Sequence, residues 1–222
     1  KLNFDLFRNY IKIGLPVIIG DSIWGLAMAA QTAILGHMGS TAIAANSIAS
    51  TIFQIVSVVA YGTASASSVI IARTIGEGNV GKVKSYAVTM QILFVIIGII
   101  TGAVLFISKD LIIDVYAVTP ETKSLAINFM TVLSITVVGT SYQMACHTGI
   151  IRGGGDTKFI FIVDMIFMWG IVLPSATIAA FIFNMSPLVV FVCLKCDQIL
   201  KCFVAVIKIN RFKWIKEIGT VK

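Results

Sequence analysis

The chain has 222 residues, of which 58% are apolar and 12% charged, and its formal net charge is +7. A soluble domain carries roughly 25% charged residues, so this chain has too few to cover a globular surface, and its composition excludes a soluble enzyme and a disordered tail. A mean hydropathy of +0.97 instead predicts an all-α membrane protein that crosses the bilayer several times.

The first residues do not form a cleavable signal. Asp5 and Arg8 interrupt any short apolar core before residue 12, and the chain begins with Lys1 rather than Met. We therefore expect a fragment of a longer protein.

Six stretches are long enough to cross a bilayer, which requires about 20 predominantly apolar residues. Short polar or glycine-containing breaks separate them, and they cover approximately 13–36, 43–72, 86–107, 124–149, 159–183 and 187–207. The sequence thus predicts six transmembrane helices in one lobe, 13–207. An N-terminal cytoplasmic segment, 1–12, precedes the lobe, and a basic cytoplasmic tail, 208–222, follows it.

The basic residues fall mainly on one side of these helices. Thirteen of the 17 Lys and Arg residues lie before the first predicted span or after the second, fourth or sixth, whereas the opposite loops contain only Lys109 and Lys123. Because cytoplasmic loops carry an excess of Lys and Arg, both termini are predicted to be cytoplasmic. The net positive charge therefore has a topological origin and does not indicate a nucleic-acid surface.

The loop Gly76–Lys82 matches GxGxxG and most of a Walker motif. Both motifs bind phosphate only when a strand runs into the glycines and a helix leaves them. Here an apolar span precedes the loop, and Val83 stands where a Walker motif needs a hydroxyl for magnesium. The loop is predicted to be a cytoplasmic turn.

The sequence does not indicate an enzyme. An intramembrane serine protease needs a GxSG motif and a base to activate its serine; His147 is a candidate base, but the chain contains no GxSG. The four cysteines lie inside or beside apolar runs, where they fit helix packing better than a disulfide or metal site. No cofactor is predicted.

Polar residues recur every three or four positions along the second span. At about 100° per residue they fall within an arc of roughly 120°, and they are Ser47, Ser50, Thr51, Gln54, Ser57, Tyr61, Ser65 and Ser68. Small polar residues also serve tight helix packing in membranes. Gln54 and Tyr61 are too large for that role, so we favour a wall of a water-accessible cavity.

The first span contains an ionisable residue, Asp21, well inside its apolar run. Such a residue costs about 2.5–3.5 kcal/mol on insertion scales and is a functional candidate by default. Met28 shares its face, and Trp24 and Gln31 lie beside it. Asp21 is predicted either to exchange a proton or cation, or to form a structural hydrogen bond as a permanently protonated acid.

The fourth and fifth spans hold further polar candidates. Gln143 and His147 share a narrow arc of the fourth span, and His147 fits either an interface or a relay. Asp156 is expected to cap the start of the fifth helix. Asp164, eight residues later, lies near the positive end of that helix, and structural and functional roles both fit it.

Several short motifs, taken together, resemble the multidrug and toxic compound extrusion (MATE) transporters, from about Phe4 to Trp214. They are Gly14-Leu15-Pro16 to Gln31, Leu35-Gly36-His37-Met38-Gly39-Ser40 to Ala44-Ala45, Gly62 to Ser65, Gly76-Glu77-Gly78-Asn79, Arg152 to Lys158, and Leu173-Pro174. Their order and spacing are similar to those of the C-terminal six-helix lobe.

The resemblance implies half of a twelve-helix transporter. Such proteins have two six-helix lobes and expel organic cations in exchange for Na+ or H+. Asp21 matches an acidic position in the first helix of the C-terminal lobe of many relatives. Other branches place that carboxylate one turn deeper, where this chain has Gly25, or in the fourth helix, where it has Ser141. Both Na+ and H+ therefore stay open as the coupling ion.

The resulting hypothesis is the C-terminal half of a cation-coupled multidrug antiporter in a prokaryotic cytoplasmic membrane, partnered by the N-terminal lobe of the same transporter. Its predicted coupling residues are Asp21 and Asp164, and its predicted cavity residues are Trp24, Met28, Gln31, Gln54, Tyr61, Gln143 and His147. Aromatic faces attract lipophilic cations, and Met adapts to varied shapes.

Two alternatives remain. A lipid-linked oligosaccharide flippase of the same superfamily would need basic residues in its cavity, and only Lys195 and Lys201 lie within a span. A non-transporting membrane assembly subunit would bind neither drug nor ion.

Overall fold

Helices form nearly all of the backbone that the structure, a computed structural model, describes. It covers residues 4–212, 214 and 215, with side chains from Ile18 onward except that of Asp21. The helices are α1 (Phe4–His37), α2 (Ser40–Gly76), α3 (Val80–Asp114), α4 (Pro120–Met144), α5 (Thr157–Phe167), α6 (Leu173–Thr177), α7 (Pro187–Lys195) and α8 (Asp197–Asn210).

Three π-helical segments extend these helices. Ala145–Ile151 continues α4, Met168–Val172 joins α5 to α6, and Ile178–Ile182 follows α6. Wider π-helical turns are rare and occur often at functional sites. The first of these segments contains His147, a predicted site residue.

Five helical stretches within the described residues are long and apolar enough to cross a membrane. They are 18–37, 40–76, 80–114, 120–151 and 157–182, and they correspond to the first five predicted spans. The helices extend past the apolar runs at several ends, and α1 already begins at Phe4, inside the predicted N-terminal segment. The first three residues and most of the predicted tail lie outside the described residues.

The sixth predicted span consists of two shorter helices, α7 and α8, which meet at Cys196. Each is shorter than a membrane span. Asp197, the first residue of α8, is only 1% exposed, so the junction places a carboxylate inside the protein.

Local sequence explains where the helices begin. Asn79 caps α3, because its side chain accepts a hydrogen bond from the Lys82 amide at 3.1 Å. Gly78 has φ of +74°, a value that favours glycine, so the 76–82 loop is a tight turn between two helices, as predicted. Thr119 caps α4 in the same way, and Pro120 occupies its first turn.

The helix α4 lies at the centre of the helical bundle and packs against α2, α3, α7 and α8. Close approach to α3 depends on glycine, since a β-carbon at Gly102 would lie 2.6 Å from the Ser134 carbonyl oxygen. The aromatic rings of Phe129 and Phe191 stack at 4.0 Å between α4 and α7.

The buried apolar residues form two clusters, one toward each end of the helical bundle. One contains Ile52, Phe129, Met168 and Leu194. The second is at the end that carries Arg152 and Trp214, and it contains Ala64, Tyr142, Ile150 and Ala205. On α2, on α4 and on the α7–α8 pair, buried polar residues stand between the residues of one cluster and those of the other. These buried polar residues include Ser57, Thr136, Thr140, Asp197 and Lys201. A polar layer therefore separates the two apolar clusters.

The C-terminal segment packs against the loop that precedes α5. Trp214 is fully buried and donates a hydrogen bond from its indole N–H to the Ile209 carbonyl at 3.0 Å. A β-carbon at Gly154 would overlap the indole ring, so this loop accepts only glycine there.

Candidate functional site

Three charged side chains meet inside the helical bundle, between α5 and α8. The ammonium nitrogen of Lys201 lies 2.9 Å from Oδ1 of Asp164 and 3.0 Å from Oδ2 of Asp197. The side chains of Lys201 and Asp197 are 6% and 1% exposed, whereas that of Asp164 is 33% exposed. We call Asp164, Asp197 and Lys201 the charged cluster.

The charged cluster carries an excess of one negative charge, because two carboxylates surround one ammonium. Charges inside a protein interact far more strongly than in water, and an unbalanced buried charge is costly. Asp197 is further held by Gln198, whose amide donates to Oδ1 at 3.0 Å. The arrangement is suited to accept one positive charge.

A second ion pair connects α8 with the residue before α5. It lies nearer to the end of the bundle that carries Arg152. Lys208 of α8 lies 2.7 Å from Oδ2 of Asp156, and its ammonium also lies over the Phe159 ring at 4.2 Å. Asp156 occupies the predicted N-cap position of α5, but its side chain makes no capping hydrogen bond there and pairs with Lys208 instead. The eight residues from Asp156 to Asp164 correspond to about 12 Å of helix.

His147 lies beside the first turn of α5. Its ring contacts the edge of Phe159, with the ring centroids 6.5 Å apart, and Asp164 and Lys201 are the charged groups that act on the imidazole. The residue is 2% exposed, and neither ring nitrogen has a hydrogen-bond partner among the described residues. A buried polar group without a partner is rare in proteins.

Gln143 lies one turn before His147 on the same helix face. Its side-chain oxygen is also buried without a partner in the described part of the chain. This face meets α8 closely, since a β-carbon at Gly139 would lie 2.8 Å from the Gln198 carbonyl oxygen. The Cys202 thiol donates to the Gly139 carbonyl at 3.1 Å.

The predicted cavity residues of α1 and α2 lie elsewhere, mainly on the outer surface of the lobe. Trp24 and Tyr61 are 52% and 54% exposed, and Met28 and Gln54 are exposed as well. Most of the predicted polar stripe of α2 shares this exposure, although Ser57 is buried. The structure thus separates an exposed face on α1 and α2 from an interior group containing Gln143, His147 and Asp164.

Gln31 belongs to neither group. It is buried, and its amide donates to the Met168 sulfur at 3.1 Å. It also borders a small pocket between α1, α2 and α7 together with Met28 and Lys195. The Lys195 ammonium lies 5.5 Å from the centroid of the Phe191 ring. The side chain of Asp21 lies outside the described residues.

Sequence reasoning placed Asp164 among the functional candidates but omitted its partners, Asp197 and Lys201. The signal was present, because an Asp and a Lys four residues apart inside an apolar run share one helix face. Such a pair in a span indicates a buried interaction rather than a solvated surface.

Comparisons with known proteins place this architecture among membrane transporters. The model of the MatE family matches residues 16–178. The chain therefore belongs to the MatE family, the MATE transporters.

Two relatives illustrate the match. A probable multidrug resistance protein NorM of Thermotoga maritima is 30% identical in an alignment over 176 residues that covers 73% of this chain and 38% of that protein. Its namesake in Listeria monocytogenes serovar 1/2a is 24% identical over 214 residues, covering 95% of this chain and 46% of that protein. The chain thus spans less than half the length of these relatives.

Solved structures share the fold. A MOP superfamily transporter from Pyrococcus furiosus, for which a reversed polarity of the binding pocket has been described, gives a TM-score of 0.78 at 21% identity, over 96% of this chain and 46% of that chain. The eukaryotic MATE transporter AtDTX14 gives a TM-score of 0.80 at 17% identity, over 98% of this chain and 49% of that chain.

Proposed function

We propose that the chain is the C-terminal six-helix lobe of a multidrug efflux antiporter, which exports organic cations by alternating access in exchange for Na+ or H+. The observation that carries the proposal is the extent of the match. Nearly the whole chain superposes on less than half of each similar transporter, and the relatives are named as multidrug resistance proteins. In this account α7 and α8 together form the sixth span.

The exposed face of α1 and α2 would line the drug cavity against the N-terminal lobe. Trp24, Met28, Gln54 and Tyr61 are exposed on the isolated lobe. A mixture of aromatic, thioether and amide groups suits lipophilic cations, through cation–π attraction and an adaptable thioether. A surface turned toward lipid alone would not favour the polar side chains of α2.

The carboxylates Asp21 and Asp164 would couple drug export to ion entry. An ionisable group at membrane depth is costly unless it has a function or a partner. Asp164 pairs with Lys201, and its side chain is partly exposed. An entering ion can therefore reach its carboxylate. Coupling requires that the ion and the drug favour different states of the transporter.

The flippase alternative is less well supported by the positions of the two lysines. Anionic pyrophosphate groups need free cations, but Lys201 is already paired with two carboxylates. Only Lys195 then remains within the predicted spans to bind such a group.

The proposed orientation has both termini in the cytoplasm. It follows from the distribution of Lys and Arg and places Arg152 and Trp214 on the cytoplasmic side. Asp156 and Lys208 would then lie near the cytoplasmic surface, and the charged cluster deeper in the membrane.

The test of the proposed function is the efflux of a fluorescent lipophilic organic cation from proteoliposomes that contain the complete transporter. Efflux should be faster when an inward H+ or Na+ gradient is imposed than when no gradient is present, because ion entry drives export. Equal rates with and without both gradients would contradict coupled antiport.

A further inference from the structure

We propose that the charged cluster binds one exchangeable proton, shared by Asp164 and Asp197 around Lys201, and that His147 relays this proton to the Asp156 end of the lobe. The proposal rests on the proposed antiport for its role, since it makes H+ the coupling ion at this site. The binding site itself follows from the geometry of the four residues.

Charge balance supports the uptake of a single positive charge. Two carboxylates and one ammonium leave one negative charge uncompensated at close contact, inside the polar layer between two apolar clusters. One proton neutralises the cluster, whereas a second would leave it with a net positive charge. The site is therefore expected to hold one proton.

A metal cation fits this site less well than a proton. The Lys201 ammonium already occupies the space between the carboxylates, at 2.9 and 3.0 Å from their oxygens. A sodium ion would have to displace this tethered cation, but a proton can be added to a carboxylate oxygen without displacing it.

The second, independent observation is the unpartnered imidazole. His147 is only 2% exposed, and neither of its ring nitrogens has a hydrogen-bond partner among the described residues. The imidazole interacts electrostatically with Asp164 and Lys201. A neutral imidazole can accept a proton on one nitrogen while it releases one from the other. Its π-helical turn has a geometry that is frequent at functional sites.

The order of the groups along the helices defines a route. Phe159, which contacts His147, lies five residues before Asp164 and three after Asp156. Lys208 contacts both Asp156 and Phe159. The Phe159 ring thus contacts both His147 and Lys208, and in the proposal the imidazole transfers a proton between the cluster and the cytoplasmic end.

Other titratable groups lie on the elements that pack around the cluster. They are Tyr142 from α4, Cys146 from the π-helical segment Ala145–Ile151, Cys193 and Lys195 from α7, Cys196 at the junction of α7 and α8, and Cys202 from α8. The Tyr142 hydroxyl donates to Gln91 at 2.6 Å. Lys195 borders the pocket of Met28 and Gln31. Its ammonium interacts electrostatically with Asp197 but forms no ion pair within the described residues, so Lys201 is the cation in direct contact with the two carboxylates.

Infrared difference spectroscopy tests the site without any drug. The complete transporter, in lipid nanodiscs, is compared at low and high pH, and the signal is the C=O stretch of a protonated carboxylic acid. We expect Asp164→Asn and Asp197→Asn each to remove one carboxylic acid band that the wild type has. Either substitution leaves Lys201 with one carboxylate and a neutral cluster. Asp114→Asn, at an exposed carboxylate outside the cluster, should keep the band.

Exchange kinetics test the relay. After transfer to D2O, the same band shifts as the proton is replaced by deuterium. His147→Phe should keep the band but slow its shift by roughly tenfold or more, since a positioned base speeds proton transfer. An unchanged exchange rate would overturn the relay.

The remaining outcomes are also decisive. Monodisperse elution shows which variants fold, and either asparagine variant alone suffices for the comparison. A band that persists in a folded Asp164→Asn or Asp197→Asn variant would overturn the shared proton, as would the absence of such a band in the wild type. Absence of gradient-driven efflux in a wild-type transporter that shows the band would contradict the proposed antiport and leave the proton site standing.

Discussion

Asp21→Asn is expected to abolish gradient-driven drug efflux while the complete transporter still folds and inserts. The amide keeps the size and hydrogen-bonding capacity of the side chain but removes the group that exchanges a proton or pairs with a cation. The measurement is efflux of an organic cation from cells that express the complete transporter. Detergent-extracted yield serves as the folding control.

Two outcomes would contradict this role of Asp21. Unchanged efflux with a normal yield would remove Asp21 from the coupling mechanism and leave Asp164 as the coupling carboxylate. Loss of both efflux and yield would indicate that Asp21 makes a structural hydrogen bond. Gly25→Ala, one turn deeper at a position with open space around it, is the matched control and should retain efflux.

Lys201→Met is expected to remove most of the folded protein. It leaves Asp164 and Asp197 close together without the cation that now separates them at 2.9 and 3.0 Å. Removal of one partner from a buried ion pair costs about 3–5 kcal/mol, a large fraction of the stability of a typical domain. The measurement is the fraction of detergent-extracted protein that remains monodisperse after heating.

A charge-neutral combination separates electrostatics from packing. Adding Asp164→Asn and Asp197→Asn to Lys201→Met removes all three charges and should restore much of the folded fraction. Lys82→Met, at an exposed lysine in the first turn of α3, should behave like the wild type. If Lys201→Met alone were as stable as Lys82→Met, the charged cluster would have no structural importance.

The helices of this lobe were predictable because the bilayer imposes a minimum length on each apolar run. The first five predicted spans correspond to helices long enough to cross a membrane. Their ends were less predictable. The helix α3 continues from 80 to 114, beyond the apolar run at 86–107, because polar residues outside an apolar run can still form helix. Its N-terminal boundary is set by the Asn79 cap.

The break between α7 and α8 was not predicted. Hydropathy treats 187–207 as one apolar run, because a single Asp and two Lys hardly change its average. Asp197 begins α8, and its carboxylate pairs with Lys201. Side-chain interactions of this kind are invisible to a measure that averages over a window.

Helical periodicity also placed Gln143 and His147 on one face, and Asp164 near the start of its helix. Periodicity does not determine which face meets which helix. The contact between α4 and α8 depends on Gly139, where a side chain would meet the Gln198 backbone. The charged cluster therefore had to be found from the three-dimensional arrangement, although the spacing of Asp197 and Lys201 provided a local indication.

The exposed face of α1 and α2 shows the same limitation. The spacing of Gln54 and Tyr61 predicted that they share one side of α2; both are exposed, whereas Ser57 of the same predicted stripe is buried. An exposed side chain in a membrane protein can contact lipid, water or another protein surface, and the sequence contains no direct signal that distinguishes these environments.

The claim that this chain is one lobe of an antiporter is tested most directly by comparing transport with and without its partner. Proteoliposomes containing residues 1–222 alone, the separately expressed N-terminal lobe alone, or both together are loaded with the same fluorescent organic cation and given an inward H+ or Na+ gradient. Alternating access needs one lobe to move against the other around a shared site, so gradient-driven efflux should occur only when both lobes are present. Robust efflux from residues 1–222 alone would contradict the half-transporter account.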